Sequence, residues 1–182
     1  NYMKEKGTLK KDTLVATVMS NLGLKKYAEE NNIKMEQTKV GDRYVLEKML
    51  AEGYNLGGEQ SGHIIMLDYN PTGDGILTSL MLIKIALEKK VPVSKLCEII
   101  QIYPQVLVNA KVASSKKNDY ENDPEIKQEI EKLEKEFSGN GRVLIRPSGT
   151  EPLVRVMIEG ENTEYIKKKA ENLAKLIEKK LN

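Results

Sequence analysis

Eight consecutive residues, "GGEQSGHI" at positions 57–64, place Glu59, Ser61 and the chain's one histidine, His63, two apart among three glycines. A plain hairpin turn needs about one glycine and one asparagine or aspartate. So dense a run of carboxylate, amide, hydroxyl and imidazole marks a loop whose side chains hold something. Ser61 with His63 offers a nucleophile and a base, but the order does not fit a nucleophile elbow. One histidine beside one glutamate is too few ligands for a metal. A hydroxyl-rich ligand suits the loop better: Glu59 accepts, Ser61 donates and accepts, and the glycines admit close approach. Sugars present that mixture.

A second loop, "RPSGTEP" at 146–152, has the chemistry of an anion site. Arg146 ends one apolar run and Arg155 lies in the next, so a hairpin brings two guanidinium groups toward the loop. Between them Ser148 and Thr150 supply hydroxyls, and Gly149 leaves the backbone amides free of a Cβ. Amides converging in a turn cradle anions, and arginine adds a fork matched to phosphate oxygens. An ordinary polar hairpin turn remains the alternative, since these are common loop residues. Lys39 and Arg43 flank "KVGDR"; their spacing reads as a solvated pair at a helix start, with Asp42 as N-cap. Asp74 in "TGDG" reads as the cap of the helix after it.

The segments between these loops are strands and helices in alternation. "DTLVATVMSN" is rich in β-branched residues and predicts a buried strand. "GLKKYAEENN" reads as a helix, "KMEQTKV" as a strand, "YVLEKMLAEG" as a helix and "YNLGGEQSGHIIML" as strand around the first loop. "ILTSLMLIKIALEKK" is a strongly apolar helix, and "PVSKLCEII" a shorter one begun by Pro92 and Ser94. This order predicts an α/β layer with a mostly parallel sheet. Composition then changes: "PQVLVNAKVA" reads as a strand and "SSKKNDYEND" as a polar stretch without period. The boundary is therefore drawn at 1–103 and 104–182. In the second part Asp123-Pro124 starts a helix with Ile126, Ile130, Leu133 and Phe137 on one face. "RVLIR" and "LVRVMIEG" are strands, and a last helix buries Ile166, Ala170, Leu173, Ala174, Ile177 and Leu181. Strand, helix, strand, strand, helix defines a small α+β domain.

Hydrophobic residues at 40% and charged residues at 31% allow a packed core and argue against global disorder. A net charge of +2 points away from nucleic acid and membrane surfaces as partners. A single cysteine, Cys97, excludes a disulfide framework and favours a cytoplasmic setting. Lying in an apolar stretch, it reads as inert core. No run approaches the ~20 apolar residues that span a bilayer.

With these residues in hand, the chain resembles the α-D-phosphohexomutase superfamily, and most closely its bacterial phosphoglucosamine mutase branch. "TVMSNLGL", "KVGDRYVLEKM", "GGEQSGHIIMLDYNPTGDGILTSL" and "LIRPSGTEPLVRVMIEG" fall in the order of that family's third and fourth domains and cover the chain nearly end to end. Gln60 and Gly149-Thr150-Glu151 are similar to the glucosamine branch. The resemblance implies a C-terminal fragment of a four-domain enzyme. That enzyme interconverts glucosamine 6-phosphate and glucosamine 1-phosphate through a phosphoserine and a bisphosphate, and feeds UDP-N-acetylglucosamine and cell-wall synthesis.

Carried over residue by residue, the resemblance gives Glu59, Ser61 and Arg43 to the sugar. Lys39 and His63 stand at positions implicated in proton transfer or ligand contact. Arg146, Ser148, Gly149, Thr150 and Arg155 grip the phosphate that is not reacting. It also implies Mg2+ and glucosamine 1,6-bisphosphate or glucose 1,6-bisphosphate, with a phosphosugar and the missing N-terminal domains as partners. The family's phosphoserine loop and Asp-rich magnesium loop have no counterpart here: neither a "DGDxDR" nor an "ASHNP" segment occurs. Phosphoryl transfer needs a placed nucleophile and a metal, so the fragment alone is expected to be inactive. Tyr69-Asn70-Pro71 departs from the family at one turn. A phosphomannomutase/phosphoglucomutase fragment and a stand-alone phosphosugar-binding module are the alternatives.

Overall fold

The computed structural model describes residues 1–182 and divides into two compact units, Asn1–Ile102 and Tyr103–Asn182. In the first unit a short helix α1 (Tyr2–Glu5) precedes strand β1 (Thr13–Thr17), helix α2 (Leu22–Glu30), β2 (Lys34–Thr38) and α3 (Asp42–Glu52). The hairpin β3 (Leu56–Gly58) and β4 (Ile64–Met66) follows, then α4 (Gly75–Lys89) and α5 (Val93–Cys97). The strands lie in the order β2-β1-β3-β4. β1 runs parallel to β2, with Val15 opposite Glu36, and parallel to β3, with Val15 opposite Gly57. β3 and β4 are antiparallel, with Gly58 opposite Ile64. The sheet is mixed and mostly parallel, because α2 and α3 act as crossovers whereas only a tight loop joins β3 to β4.

Alternation along the strands sorts the core into two layers. Val15 packs with Val45 and Met49 of α3 and with Ile65 on one face. Leu14, Met35 and Leu56 face the other way, against Ala28, Ile33, Leu9 and Met3. Gly57 is a glycine for a packing reason: a Cβ there would lie 2.5 Å from Met49 Sδ and 2.6 Å from Val45 Cγ1. α3 therefore sits directly on the strand that leads into the Glu59 loop.

The second unit has β5 (Gln105–Lys111), α6 (Pro124–Glu136), β6 (Gly141–Pro147), β7 (Leu153–Gly160) and α7 (Thr163–Leu181). Its sheet is antiparallel in the order β5-β7-β6. Asp123 caps α6 by accepting from the amides of Glu125 and Ile126, both at 3.0 Å. All six apolar residues read as the buried stripe of α7 are buried, against Val154, Val156 and Ile158 of β7. Each leucine or isoleucine among them contributes roughly 1.5–3 kcal/mol. Glu159 is fully buried and held by Arg142, Nη2 to Oε2 at 2.7 Å.

Three expectations change. Cys97 is exposed, not core, because α5 is only five residues long and buries none of them. Asp42 is the first residue of α3 and Gly41 its N-cap; the Asp42 carboxylate accepts from the next amide, Arg43, instead of capping further in. The stretch 114–123, polar in composition, folds into two 3-10 turns that bury Tyr120. Burial pushes the Tyr120 hydroxyl up to about 12, with Glu121 as its hydrogen-bond acceptor.

Candidate functional site

In an open α/β sheet, loops at the carboxyl ends of the strands form the binding crevice. Lys39 follows β2 directly, Glu59 follows β3, and both lie at that end of the parallel strands. The two loops are tied together: the Gly41 amide donates to Glu59 Oε2 at 2.9 Å. Within the Glu59 loop, the Glu59 amide donates to the His63 carbonyl at 2.9 Å and the Gly62 amide to the Glu59 carbonyl at 3.0 Å. Gly62 has φ +99, a conformation that glycine takes without a Cβ penalty. Ser61 Oγ and His63 Nδ1 lie 3.0 Å apart and both residues are exposed. Glu59 is engaged by Gly41, so the Ser61–His63 pair has no carboxylate from its own loop to orient it as a triad does.

Behind the loop, Gly73 packs beside the His63 ring, and the Asp74 amide donates to the Ile64 carbonyl at 3.2 Å. Asp74 caps α4 by accepting from the Leu77 amide at 2.9 Å. That bond, with a second from Asn70, holds its carboxyl below the usual range. Arg43 is not gathered with the others: its Nε donates to Glu47 Oε1 at 2.7 Å along its own helix. Lys39 is exposed.

In the second unit the β6–β7 hairpin sets Arg146 directly opposite Arg155. Burial, then the neighbouring Arg155 charge, holds the Arg146 guanidinium below its ordinary value. Arg155 Nη2 donates to Glu151 Oε2 at 3.0 Å, while its Nε is buried without a partner. A buried cationic donor left unsatisfied is costly, so such a group is suited to an anion supplied from outside. Ser148 is buried; its Oγ accepts from the Glu151 amide at 3.2 Å and its amide donates to the Leu153 carbonyl at 2.9 Å. Gly149 and Thr150 are exposed at the tip, and nothing lies within 4 Å of the position a Gly149 Cβ would take.

Two further residues join this loop, and of these Lys117 was not singled out from the sequence. Lys117 Nζ donates to the Ser148 carbonyl at 2.8 Å, across 31 positions of sequence. No local pattern announces that contact, since Lys117 lies in the polar 3-10 stretch. Glu151, named from the sequence only for its likeness to the glucosamine branch, competes for Arg155. The chain has no group of three or more His, Cys, Asp or Glu placed to hold a metal ion. Its own residues therefore do not fit a magnesium site. No helix is long and apolar enough to cross a membrane.

The molecule is of the mixed α/β class: a mostly parallel sheet with a polar, glycine-rich loop at its strand ends, followed by a small domain with an arginine-flanked turn. The family model described as phosphoglucomutase/phosphomannomutase, alpha/beta/alpha domain III, matches residues 1–103, and that of the C-terminal domain matches residues 107–176. The chain belongs to this phosphohexomutase family. It is 62% identical over 180 residues to a phosphoglucosamine mutase of Caldicellulosiruptor saccharolyticus, covering 99% of the chain. It is 59% identical to that of Clostridioides difficile, again over 99% of the chain. The chain spans about 40% of the length of the curated relatives it matches. Among solved structures, an N-acetylphosphoglucosamine mutase of Aspergillus fumigatus in complex with GlcNAc-6P and magnesium superposes with TM-score 0.75 at 17% identity. That superposition covers 99% of this chain and 41% of the other, and it bears on fold alone.

Proposed function

We propose that the chain is the C-terminal portion of a phosphoglucosamine mutase, carrying the sugar-reading and distal-phosphate sites of an isomerase. The observation that carries the phosphate assignment is the unpartnered, buried Nε of Arg155 beside the desolvated Arg146. The choice of glucosamine phosphate is supported by relatives at 59–62% identity. In this reading Arg146, Arg155 and the 148–150 turn hold the phosphate that does not react. Glu59 and Ser61 read the sugar's hydroxyl or amino groups, with His63 and Lys39 beside them for proton transfer. Arg43 joins the sugar contacts after leaving Glu47.

A fixed phosphate grip lets one site accept either end of a bisphosphate while a single loop reads similar hydroxyls. The phosphoserine and Mg2+ belong to domains outside these residues. There the phosphoserine gives its phosphoryl group to the sugar, the bisphosphate turns round, and the other phosphate returns to the serine. A glucosamine or glucose 1,6-bisphosphate is the intermediate and activator.

The test is side-by-side turnover of glucosamine phosphate and of mannose or glucose phosphate by the full-length protein. Faster reaction of glucosamine phosphate is expected; faster reaction of mannose or glucose phosphate rejects the choice. At the level of the site, glucosamine phosphate at roughly millimolar Kd, about −4 kcal/mol, should shift the amides of residues 146–152 in NMR titration. Arg146→Ala should remove most of that response, whereas Glu59→Ala should change sugar preference more than phosphate affinity. Shifts confined to other residues count against the assignment.

A further inference from the structure

Arg155 points away from the core of the second unit. Along β7, Val154, Val156 and Ile158 face the helices, so Arg155 lies on the opposite face, in one cross-strand row with Asn109 of β5 and Arg146 of β6. Its fork is half filled. Nη2 donates to Glu151 Oε2 at 3.0 Å, while the buried Nε has no partner, even with Asn109 beside it in register. Arginine binds a carboxylate or a phosphate best through two parallel N–H bonds. Glu151 therefore meets only part of what Arg155 offers.

Glu151 is held by its backbone and loose at its carboxylate. Its amide donates to Ser148 Oγ at 3.2 Å, and its carbonyl accepts from the Leu153 amide at 2.9 Å. The turn is closed by the Ser148 amide, which donates to the Leu153 carbonyl at 2.9 Å. The Glu151 side chain is 54% exposed, and Arg155 is its one partner. A pair this open to solvent holds weakly. The carboxylate can leave by rotation about its own side-chain bonds, with the loop unmoved.

We propose that Glu151 is the resident anion of the phosphate grip: its carboxylate stands on Arg155 while the site is empty and is displaced when a phosphate takes both Nε and Nη2. The inference rests on the reading that this hairpin holds the non-reacting phosphate. Glu151 then sets the affinity of the grip. Each binding event has to break the Glu151–Arg155 pair, and the returning carboxylate helps the phosphate leave. In that reading the bisphosphate must quit this grip to turn round, and a built-in competitor keeps it from being held too long.

The experiment titrates glucosamine 6-phosphate into the chain at about pH 7.5, where the phosphate is dianionic, with Kd read from the amides of residues 146–152. Glu151→Gln keeps the size of the side chain and removes its charge. It should tighten binding about threefold or more. Glu178→Gln removes the same charge from α7, where Glu178 accepts from the Lys111 amide at 2.8 Å, and should change Kd less than twofold. In the unaltered chain, the Glu151 carboxyl carbon and Arg155 Nε–H resonances should move along one binding curve. A smaller gain in Glu151→Gln, or looser binding, overturns the proposal and leaves the phosphate reading standing. Looser binding would make Glu151 a support for Arg155 instead. Tightening of twofold or more by Glu178→Gln assigns the effect to net charge and also overturns it. So does an Arg155 signal that responds while Glu151 stays still. If Glu151→Gln fails to fold, those two resonances decide. Silence at residues 146–152 in every variant, at ligand well above millimolar, counts against the phosphate reading itself and takes the proposal with it.

Discussion

Arg146 and Arg155 face each other across one hairpin with only Glu151 recorded as a counter-charge, on Arg155. The sign follows from the cation. A guanidinium whose value lies below its ordinary one, as at Arg146, is held less firmly as a charge in the folded chain than in the unfolded one, so it costs stability. Under the proposed function a bound anion reverses that cost. A phosphosugar at ten times its Kd should stabilise the second unit by about 1.4 kcal/mol, read as a rise in its unfolding midpoint. Arg146→Ala should lose most of that rise. Arginine stays charged at all ordinary pH, whereas the ligand phosphate takes its second charge near pH 6. Affinity should therefore climb from pH 5 to about 7.5 and then level; a fall over that range would contradict the cradle. Lys117 positions the Ser148 carbonyl, and Lys117→Gln should weaken phosphate binding by roughly 0.5–1.5 kcal/mol while leaving sugar preference unchanged. A change in preference would assign Lys117 another role.

Among the elements, β3 aims Glu59, which follows it directly. Its middle residue touches α3 so closely that Gly57→Ala must displace both Met49 and Val45. Overpacking of this kind costs about 1–3 kcal/mol, measurable by urea unfolding, and should perturb the amide of Gly41, which depends on Glu59. An unchanged midpoint would show that the contact relaxes freely. The long amphipathic elements were legible beforehand: the stripe of α7 and the cap and first turn of α6 follow from local spacing alone. The 3-10 turns at 114–123 were not, since Tyr120 is one aromatic in a polar run and its burial depends on strands distant in sequence. The helix start at Asp42 missed by one residue, because Gly41, at φ +131, takes a non-helical conformation that suits glycine and so becomes the N-cap, while Asp42 is already helical.

At the scale of the whole molecule, the chain accounts for about 40% of its relatives' length. The 182 residues alone should bind phosphosugar weakly and turn none over, since they offer neither a phosphoserine loop nor a magnesium site. A coupled assay with glucosamine 6-phosphate checks this, and turnover above background would mean that a nucleophile within the chain had been overlooked. Helix α4, strongly apolar in sequence, buries none of its residues.

By itself the sequence determined the succession of strands and helices, the two-part organisation and the two chemically loaded loops. Periodicity, turn residues and capping are local, so they are written in neighbouring positions. Tertiary structure decided the rest: that Arg146 stands opposite Arg155 with one donor orphaned, that Glu59 reaches Gly41, and that Lys117 crosses 31 positions to Ser148. Those relations depend on strand register and on long-range burial. Neither is encoded in any single window of the chain.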